Sequence, residues 1–451
     1  MTFVLDRSTQ RTRRGDVVIG GSPLRLFRLA PAGTAQFDRL AAGDTVGASK
    51  LVERLVDAGA IHPVPDAGAG PRQTGTLTAA DVTIVVPAWS NNPDLDPGAW
   101  NAWLGTVAGG PPVAGVVVVD DGSRPPLALP PGVRLVRRAR NGGPAAARND
   151  GLAEVTTALV AFVDTDVTVT DGWLDGLLGH FADDRVAAVA PRVASARGPG
   201  AVARYEAAHS PLDLGPEPAR VAPGTRVGYV PGAALVARTD AVRAVGGFDP
   251  ALRTGEDVDL VWRLIAAGHR VRYEPGVVVH HAPRPTWSGL VRQRIAYGSS
   301  AALLARRHPG TLAPVRMSGW TALAWALLLA GRLRLAALVV AATTAALVPK
   351  LGGVPAATSV RLALTGHAGA GRQLADAARR AWWPLVAVAA LVSRRARRLA
   401  ALAALPALTD GGLHRLLDDA AYGVGVWRGI LTTGELGPLW PQLRDWPRRQ
   451  R

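Results

Sequence analysis

Two carboxylates stand one residue apart at the end of an apolar run in FVDTDV, residues 162–167. Asp164 and Asp166 would repel one another there, and burial beside the apolar run would add a desolvation penalty. One interpretation is an ordinary turn, because Asp favours turns and helix starts. The other is a divalent cation held between the two side chains, since carboxylate oxygens are ligands that such cations prefer.

Polar residues also close other apolar runs. Near the end of VTIVVPAW, Pro87 is expected to end the pairing of the strand, because Pro has no backbone N–H. VVVVDDGS places Asp120 and Asp121 before a glycine that permits a tight turn. An Asp side chain accepts hydrogen bonds from a base N–H or a ribose hydroxyl, although Asp-Gly is also an ordinary turn signal. The glycine-rich NGGPAAARNDG then runs into a predicted helix carrying Arg148, which suits an approach to phosphates. Its spacing is not that of a Walker A loop, since no Gly-Lys-Ser/Thr follows.

Two further groups come later in the chain. GEDVDLVWRL places Glu256 and Asp257 at a predicted helix start, where the helix dipole stabilises carboxylates. A carboxylate in a site would equally serve as the base that takes a proton from an attacking hydroxyl. VVVHHAPR sets His280 and His281 at the end of a strand. Paired histidines are often surface residues, but one at a strand end would complete a metal site with Asp166.

The elements that must position these residues alternate between buried strands and helices from about residue 81 to residue 308. The strand patterns are VTIVVPAW, VAGVVVVDDGS, RLVRRARN, ALVAFVDTDV and VAAVAPRV. Continuous apolar runs that end in polar residues are typical of a parallel sheet covered on both faces. Ligands of such sheets lie at the carboxyl ends of the strands, so we expect these polar residues to share one crevice.

The composition limits the classes of function. With 451 residues, 48% of them hydrophobic and 19% charged, the chain can hold a catalytic domain with flanking modules, and disorder is not expected. The absence of Cys excludes disulfides, thiolate zinc sites and a cysteine nucleophile. A net charge of +16 calls for an anionic partner. The arginines are spread along the chain and cluster at 394–398 beside apolar stretches, which favours lipid headgroups or a phosphorylated substrate over nucleic acid.

Two flanking regions complete the predicted architecture. Residues 1–75 show short apolar runs and two helical patterns, which predict a small winged-helix-like module followed by a Pro/Gly/Ala linker. Residues 309–451 are apolar and helical, with a run from Gly319 that only Arg332 and Arg334 interrupt. A hairpin, an interfacial helix pair, a marginal membrane span and buried helices of a soluble domain all remain open. The N-terminus has no apolar core of a secretory signal, so we expect a protein at the cytoplasmic side of the membrane.

Taken in order, these motifs resemble those of the family 2 glycosyltransferases, which have the GT-A fold. The resemblance rests on VTIVVPAW, VVVVDDGS, NGGPAAARNDG, FVDTDV, VGGFDPAL and GEDVDLVWRL, over roughly residues 81–308. It implies an α/β, doubly wound sheet and a sugar-nucleotide donor. It also implies that the Asp-x-Asp pair holds Mg²⁺ or Mn²⁺ against the donor diphosphate, so that the cation offsets the repulsion between the two carboxylates.

The resemblance also implies roles for the donor and metal residues. Pro87, Asp120 and Asp121 would line the base and ribose pocket, with Arg148 near the phosphates. Asp166 would be the direct metal ligand and Asp164 would contact ribose or a metal-bound water, while His281, or less readily His280, would join the metal.

The catalytic role falls to the Glu-Asp pair. The resemblance makes Asp257, preceded by Glu256, the general base that deprotonates the acceptor hydroxyl. That hydroxyl would then attack the anomeric carbon in line with the departing nucleotide diphosphate, which inverts the anomeric configuration.

One departure from the family pattern narrows the reaction. Processive polysaccharide synthases of the family carry Gln-x-x-Arg-Trp after the base, whereas this chain has LVRQRIAYGSS and no Trp at that spacing. A synthase of long polymers is therefore disfavoured. Arg292, Arg294 and Tyr297 are expected to contact the donor diphosphate or the acceptor instead.

The layout of the whole chain is similar to that of a narrower group within the family. Members of that group glycosylate a redox cofactor made from a ribosomal peptide and add glucose units, which implies UDP-glucose as donor. The first module resembles peptide-binding domains that capture a peptide as an added strand, but DNA binding or mere packing on its neighbour stay open. The rival interpretations are a lipid-linked or cell-envelope glycan acceptor, a sugar-nucleotide pyrophosphorylase and a noncatalytic membrane scaffold.

Overall fold

The computed structural model describes residues 2–12, 15–65, 77–90, 97–107 and 112–444. The chain divides into a first unit, Met1–Arg11 with Val18–Arg284, and a second unit, Thr12–Val17 with Pro285–Arg451. The three-part division read from the sequence stays a prediction, and most of the predicted linker lies outside the described residues.

The chain begins with short strands and two helices. They are β1 (Thr2–Leu5), β2 (Gln10–Arg11), β3 (Val17–Gly20), β4 (Arg25–Arg28), α1 (Pro31–Ala41), α2 (Lys50–Ala58) and β5 (Ile61–Val64). Strand β1 pairs with β5, and β2, β3 and β4 form a second small sheet. Ser49 caps α2 by accepting a hydrogen bond from the Val52 N–H at 3.2 Å, and Gly59 ends the helix in the left-handed region. Both helical patterns are thus confirmed, while the winged-helix description stays a prediction.

A sheet of nine strands forms the centre of the first unit. Its strands are β6 (Val82–Ala88), β7 (Gly115–Asp120), β8 (Arg134–Arg137), β9 (Leu159–Val163), β10 (Val167–Thr168), β11 (Val186–Ser195), β12 (Ala219–Arg220), β13 (Ala234–Arg238) and β14 (Arg270–His281). The helices of this part are α3 (Pro97–Val107), α4 (Pro144–Ala153), α5 (Asp175–Leu178), α6 (Gly200–His209), α7 (Thr239–Ala244) and α8 (Glu256–Ala266). The five strands read from apolar runs are confirmed.

The strand order is β10-β14-β11-β13-β9-β6-β7-β8, with β12 paired to β14. Strands β9, β6, β7 and β8 are parallel, as expected. The expectation of a wholly parallel sheet is wrong in the other half, because β13 runs antiparallel to both β9 and β11. A strand buried on both faces is apolar throughout, so its sequence does not reveal its direction. The result is a mixed α/β sheet that still brings the carboxyl ends of β6, β7 and β9 to one edge.

The sheet is buried where the polar residues follow its strands. All five residues of β9 are buried, and the core around them includes Ile84, Val118, Phe181 and Val236. A fully buried Val, Leu or Phe side chain stabilises the fold by about 1.5–3 kcal/mol. The loops after β6, β7 and β9 therefore start from fixed points.

Helices dominate the second unit. Its elements are α9 (Trp287–Arg307), β15 (Arg316–Ser318), α10 (Gly319–Leu329), α11 (Leu333–Lys350), α12 (Ala356–Arg380), α13 (Trp383–Val392), α14 (Arg394–Thr433) and β16 (Gln442–Arg444). Helix α14 is interrupted at Gly411 and Gly412, whose backbone is not helical. Within the described residues, α11 is the one helix whose length and hydropathy would suffice to cross a membrane, and 6% of it is buried. Membrane association stays a prediction.

Candidate active site

A cleft of about 330 Å³ opens at the carboxyl edge of the sheet. We call it the donor pocket. Its wall includes Pro87 near the end of β6, Trp89 after β6, Asp121 after β7, Asp164 and Asp166 after β9, and Arg253 before α8. The expected convergence of strand ends in one crevice is therefore confirmed for Pro87, Asp121 and the Asp-x-Asp pair.

The two aspartates of the DDGS motif lie in different structural environments. Asp120 is fully buried, and its two oxygens accept hydrogen bonds from the Ser123 N–H at 2.8 Å and the Leu127 N–H at 3.2 Å. We correct its assignment to the base and ribose pocket, since it holds the turn after β7. Asp121 borders the donor pocket and accepts from the Gly142 and Gly143 N–H groups at 2.9 and 2.8 Å. It fixes the glycine-rich loop, and its contact with ribose stays a prediction.

Arg148 joins the two acidic motifs. Its side chain is 3% exposed and donates to Asp164 Oδ1 at 2.6 Å and to Glu256 Oε1 at 2.7 Å. It also lies over the Phe248 ring, 5.3 Å from the centroid. The expected place of Arg148 beside the donor phosphates is corrected, because its guanidinium is buried between two carboxylates.

The charged groups of this cluster shift the pKa values of one another. Burial alone would lower the pKa of Arg148, but Asp164, Glu256 and Asp257 raise it above its ordinary value. Burial raises the pKa of Asp164 in spite of Arg148, and the nearby Asp166 adds to the rise. Burial also raises the pKa of Glu256, with a further rise from Asp257. Negative charge is thus crowded around a single buried cation.

Asp166 faces a histidine and an arginine. His281 Nε2 lies 3.1 Å from Asp166 Oδ2, and Arg284 donates to the same oxygen at 3.2 Å. Burial would raise the pKa of Asp166, but the contact with His281 lowers it below its usual range. In the β10–β14 ladder His281 pairs with Val167 and His280 with Thr168, so His280 points to the opposite face of the sheet from His281. We therefore withdraw His280 as a candidate metal ligand.

The residues around Asp166 suit a small divalent cation only in part. Among the described residues, no group of three or more His, Cys, Asp and Glu side chains is close enough to hold a metal ion. One carboxylate and one imidazole do converge at the donor pocket, at Asp166 and His281. Mg²⁺ is commonly held by one or two carboxylates together with the phosphates of its substrate, so two protein ligands fit a metal that arrives with a diphosphate.

Asp257 stands at the first turn of α8 and is held by two backbone donors. Its Oδ2 accepts from the Gly232 N–H and its Oδ1 from its neighbour, the Val258 N–H, both at 2.8 Å. A Cβ added to Gly232 would lie 3.0 Å from the Asp257 Cβ, so a side chain at this position would require Asp257 to shift by a few tenths of an ångström. Half-buried Asp257 is therefore the fixed carboxylate of the pair, while Glu256 is tied to Arg148.

Sequence reasoning missed two residues of the donor pocket. Trp89 is 53% exposed and lines the wall next to Pro87, and Arg253 brings a guanidinium to the pocket and donates to Asn141 Oδ1 at 3.2 Å. Both adjoin recognised motifs, because Trp89 directly follows VTIVVPA and Arg253 directly precedes TGED. No motif spacing identifies either residue as a ligand contact, so the sequence did not predict their place in the donor pocket.

Three expected contacts of the donor or acceptor lie in the second unit, on α9. Arg294 is 2% exposed and its Nε donates to Asp418 Oδ1 on α14 at 3.0 Å. We correct its assignment to the donor diphosphate, because the ion pair holds α9 against α14. The roles of Arg292 and Tyr297 stay predictions.

The fold and the site define a glycosyltransferase. The model of the family described as glycosyl transferase family 2 matches residues 110–242. The pre-mycofactocin glycosyltransferase of Mycobacterium tuberculosis is 42% identical to this chain over 478 residues, which cover 98% of this chain and 97% of that protein, in each of two strains. The chain belongs to the pre-mycofactocin glycosyltransferases, within glycosyl transferase family 2.

Solved structures show a more remote likeness. The mannosyltransferase PcManGT from Pyrobaculum calidifontis, in complex with GDP-Man and Mn²⁺, is 19% identical, with coverage of 80% of this chain and 89% of that chain and a TM-score of 0.38. TarS of S. aureus, residues 1–349 with UDP-GlcNAc, is 17% identical, with coverage of 51% and 67% and a TM-score of 0.39. Likenesses of this degree carry no argument about the chemistry of this chain.

Proposed function

We propose that this chain transfers glucose from UDP-glucose onto pre-mycofactocin with inversion of the anomeric configuration. The observation that carries the proposal is the connection of the two acidic motifs through Arg148, which lies between Asp164 and Glu256. It sets the candidate base beside the wall of the donor pocket. The family relationship supplies the acceptor, and the assignment of glucose as the donor sugar belongs to this proposal.

The donor pocket offers separate surfaces for the parts of a nucleotide sugar. Trp89 presents an exposed ring that a base would stack against. The loop at Gly142 and Gly143, held by Asp121, brings backbone close to ribose and phosphate. Arg253 adds a guanidinium, which pairs well with phosphate oxygens.

Asp166 and His281 would hold Mg²⁺ or Mn²⁺, with Asp164 at a metal-bound water or at ribose. When bound, the cation neutralises charge that develops on the leaving diphosphate. The chain itself contributes the orientation of these ligands. Arg148 holds Asp164, and strand β14 carries His281 to Asp166.

Asp257 would take the proton. The acceptor oxygen forms a bond to the anomeric carbon, the bond from that carbon to the diphosphate oxygen breaks, and the acceptor proton passes to an Asp257 oxygen. The two backbone N–H groups that hold Asp257 keep it in place for this transfer. No covalent intermediate on the enzyme is needed.

Exposed apolar side chains and clustered arginines in the second unit favour an association with a membrane surface. Apolar side chains of α11 and α13 are exposed, among them Leu338, Leu385 and Leu391. Arg394, Arg395, Arg397 and Arg398 follow at the start of α14, as expected for contact with anionic headgroups. We therefore propose that the protein works at a membrane surface, and we keep the expectation of its cytoplasmic side. The same surface supports a second candidate function, in which the acceptor is a lipid-linked or cell-envelope glycan.

Mass spectrometry of the acceptor tests the proposal. Purified full-length protein with Mn²⁺ and isotope-labelled UDP-glucose should add one or more labelled hexoses to pre-mycofactocin. A label found only on lipid extracts would move the assignment to the second candidate. Absence of transfer to either acceptor would support a noncatalytic scaffold. Formation of UTP and glucose 1-phosphate from UDP-glucose when pyrophosphate is added would support a pyrophosphorylase.

A further inference from the structure

A second cavity, of about 170 Å³, lies in the first unit between α2 and strands β12 and β14. We call it the arginine pocket. The charged side chains that define it are Asp57, Arg185, Arg220, Arg270 and Arg272. Arg272 and His281 lie nine positions apart on β14, which is roughly 25–30 Å in an extended strand, so this pocket is distinct from the donor pocket.

Positive charge exceeds negative charge on the wall of the arginine pocket. Four arginines face one aspartate. That aspartate, Asp57, is already engaged, since Arg270 Nε donates to it at 2.9 Å and Arg185 approaches it at 3.6 Å. A second carboxylate, on Asp183, also accepts from Arg270, at 2.6 Å. Among the described residues, neither Arg220 nor Arg272 forms an ion pair with Asp57 or Asp183.

Arg272 is the most unusual member. It is 3% exposed, and its Nε and Nη1 atoms have no hydrogen-bond partner among the described residues. A buried guanidinium without partners is strongly unfavourable, which is why buried charges in proteins are paired or bind an ion. Its neighbour adds to the penalty, because Arg220 and Arg272 lie directly opposite one another in the β12–β14 ladder. Like charges at such positions destabilise a sheet.

The protonation behaviour agrees with this geometry. Burial and the charge of Arg270 lower the pKa of Arg272 to about 10, although Asp183 and Asp57 oppose the shift. Burial and the charges of Arg25 and Arg270 also lower the pKa of Arg220. Both arginines stay charged at neutral pH, so a compensating negative charge would stabilise the fold.

We infer that the arginine pocket binds an oxyanion, the phosphate or carboxylate group of a small molecule. The planar fork of Arg272 would donate to two oxygens of this group, and Arg220 would donate from the facing strand. The cavity is large enough for one such group and too small for a nucleotide sugar. Because α2 forms one wall and β14 the other, the bound anion would join the N-terminal module to the catalytic sheet.

Isothermal titration calorimetry of the full chain with sodium phosphate and, separately, sodium acetate tests the inference at constant ionic strength. Wild type should bind at least one of the two anions. Arg272→Met keeps the volume of the side chain and removes its charge, so it should weaken binding by at least about tenfold, as loss of a charged hydrogen-bond pair predicts. Arg220→Gln should weaken it in the same direction.

Two variants serve as controls for charge and for the donor pocket. Arg134→Gln removes an exposed arginine on β8, and Arg253→Gln removes the arginine of the donor pocket. Both should bind the anion within about twofold of wild type at the arginine pocket, since neither touches it. Because Arg272→Met removes an uncompensated charge, it should unfold at a temperature no lower than that of anion-free wild type.

The two anions identify the source of the oxygens. Binding of phosphate alone assigns the pocket to a phosphorylated ligand, and binding of acetate assigns it to a carboxylate. The inference is overturned if wild type binds neither anion, or if folded Arg272→Met binds phosphate as wild type does.

Discussion

Arg148 donates a hydrogen bond to Asp164 at 2.6 Å, and the same guanidinium reaches Glu256 at 2.7 Å. This single buried cation therefore sets the position of the Asp-x-Asp motif relative to α8. The donor pocket and the candidate base are built as one charged cluster, and each half depends on the other.

Removal of the buried cation should damage both stability and turnover. Arg148→Met leaves Asp164 and Glu256 without their partner, which we expect to lower the free energy of unfolding by about 3–5 kcal/mol. Urea unfolding measures this loss. Arg148→Lys keeps the charge but not the forked geometry, so it should retain more stability than Arg148→Met and still lose at least about tenfold in kcat. Wild-type stability in Arg148→Met would contradict the role of the cluster.

Gly232 should tolerate a side chain poorly because it packs against Asp257, the candidate base. In Gly232→Ala the new Cβ would lie 3.0 Å from the Asp257 Cβ, and displacement of Asp257 should lower kcat by about 10–100-fold. The matched control is Gly228→Ala, whose Cβ would meet nothing within 4 Å. Steady-state kinetics of the two alanine variants should differ in kcat and agree in the KM for UDP-glucose. Equal kcat values would show that Asp257 does not depend on Gly232.

Loss of the candidate metal ligand and loss of the candidate base should affect donor affinity differently. Asp166→Ala should weaken UDP-glucose binding in Mn²⁺ by about 10–100-fold, because it removes one of the two candidate protein ligands. Asp257→Asn should bind the donor within about threefold of wild type. Calorimetric titrations with Mn²⁺ and with EDTA provide the comparison, and EDTA should bring wild type to the level of Asp166→Ala. Equal weakening in both variants would contradict this division of roles.

Acid should loosen the N-terminal module through Asp6 and His62. Their side chains are buried and lie 3.0 Å apart, and Arg226 donates to Asp6 at 2.9 Å. Burial would raise the pKa of Asp6, but hydrogen bonds from His62 and Ser8 lower it below its usual range, and burial lowers the pKa of His62. In both cases the unfolded state binds more protons. Stability is therefore lost first below about pH 6.5 through His62 and then below about pH 4 through Asp6.

Hydrogen-exchange protection of peptides from residues 15–64 in the full chain measures this pH dependence. Protection should fall between about pH 7 and pH 5, once intrinsic exchange rates are divided out. His62→Gln carries no titrating ring and should flatten that part of the profile. An unchanged slope in His62→Gln would assign the effect to other groups.

The sequence predicted the strands and the edge of the sheet at which the site lies, because uniform apolar runs and the polar residues after them are local features. It could not predict the direction of β13, since a fully buried strand has the same pattern in either direction. The sequence also could not predict which side chains pair with one another. Arg148 and Glu256 are 108 positions apart, and Arg294 and Asp418 are 124 apart.

The site assignments that needed correction also depended on side-chain partners that local sequence features do not reveal. Asp120 and Arg148 stand in the motifs expected of a donor site. Backbone N–H groups occupy both oxygens of Asp120, however, and two carboxylates accept from Nη1 and Nη2 of Arg148. His280 and His281 are adjacent in sequence, and the alternation of a strand separates them only after the pairing partner is known. The arginine pocket combines residues from α2, β12 and β14 and has no motif at all.

Nucleotide release tests the central claim most directly. Wild type and Asp257→Asn are incubated with UDP-glucose and Mn²⁺, with and without pre-mycofactocin, and UDP is measured. We predict that the acceptor stimulates UDP release by wild type and that Asp257→Asn loses this release by at least about a hundredfold, as removal of a general base requires. Release by wild type that is indifferent to pre-mycofactocin, or undiminished release by Asp257→Asn, would contradict the account.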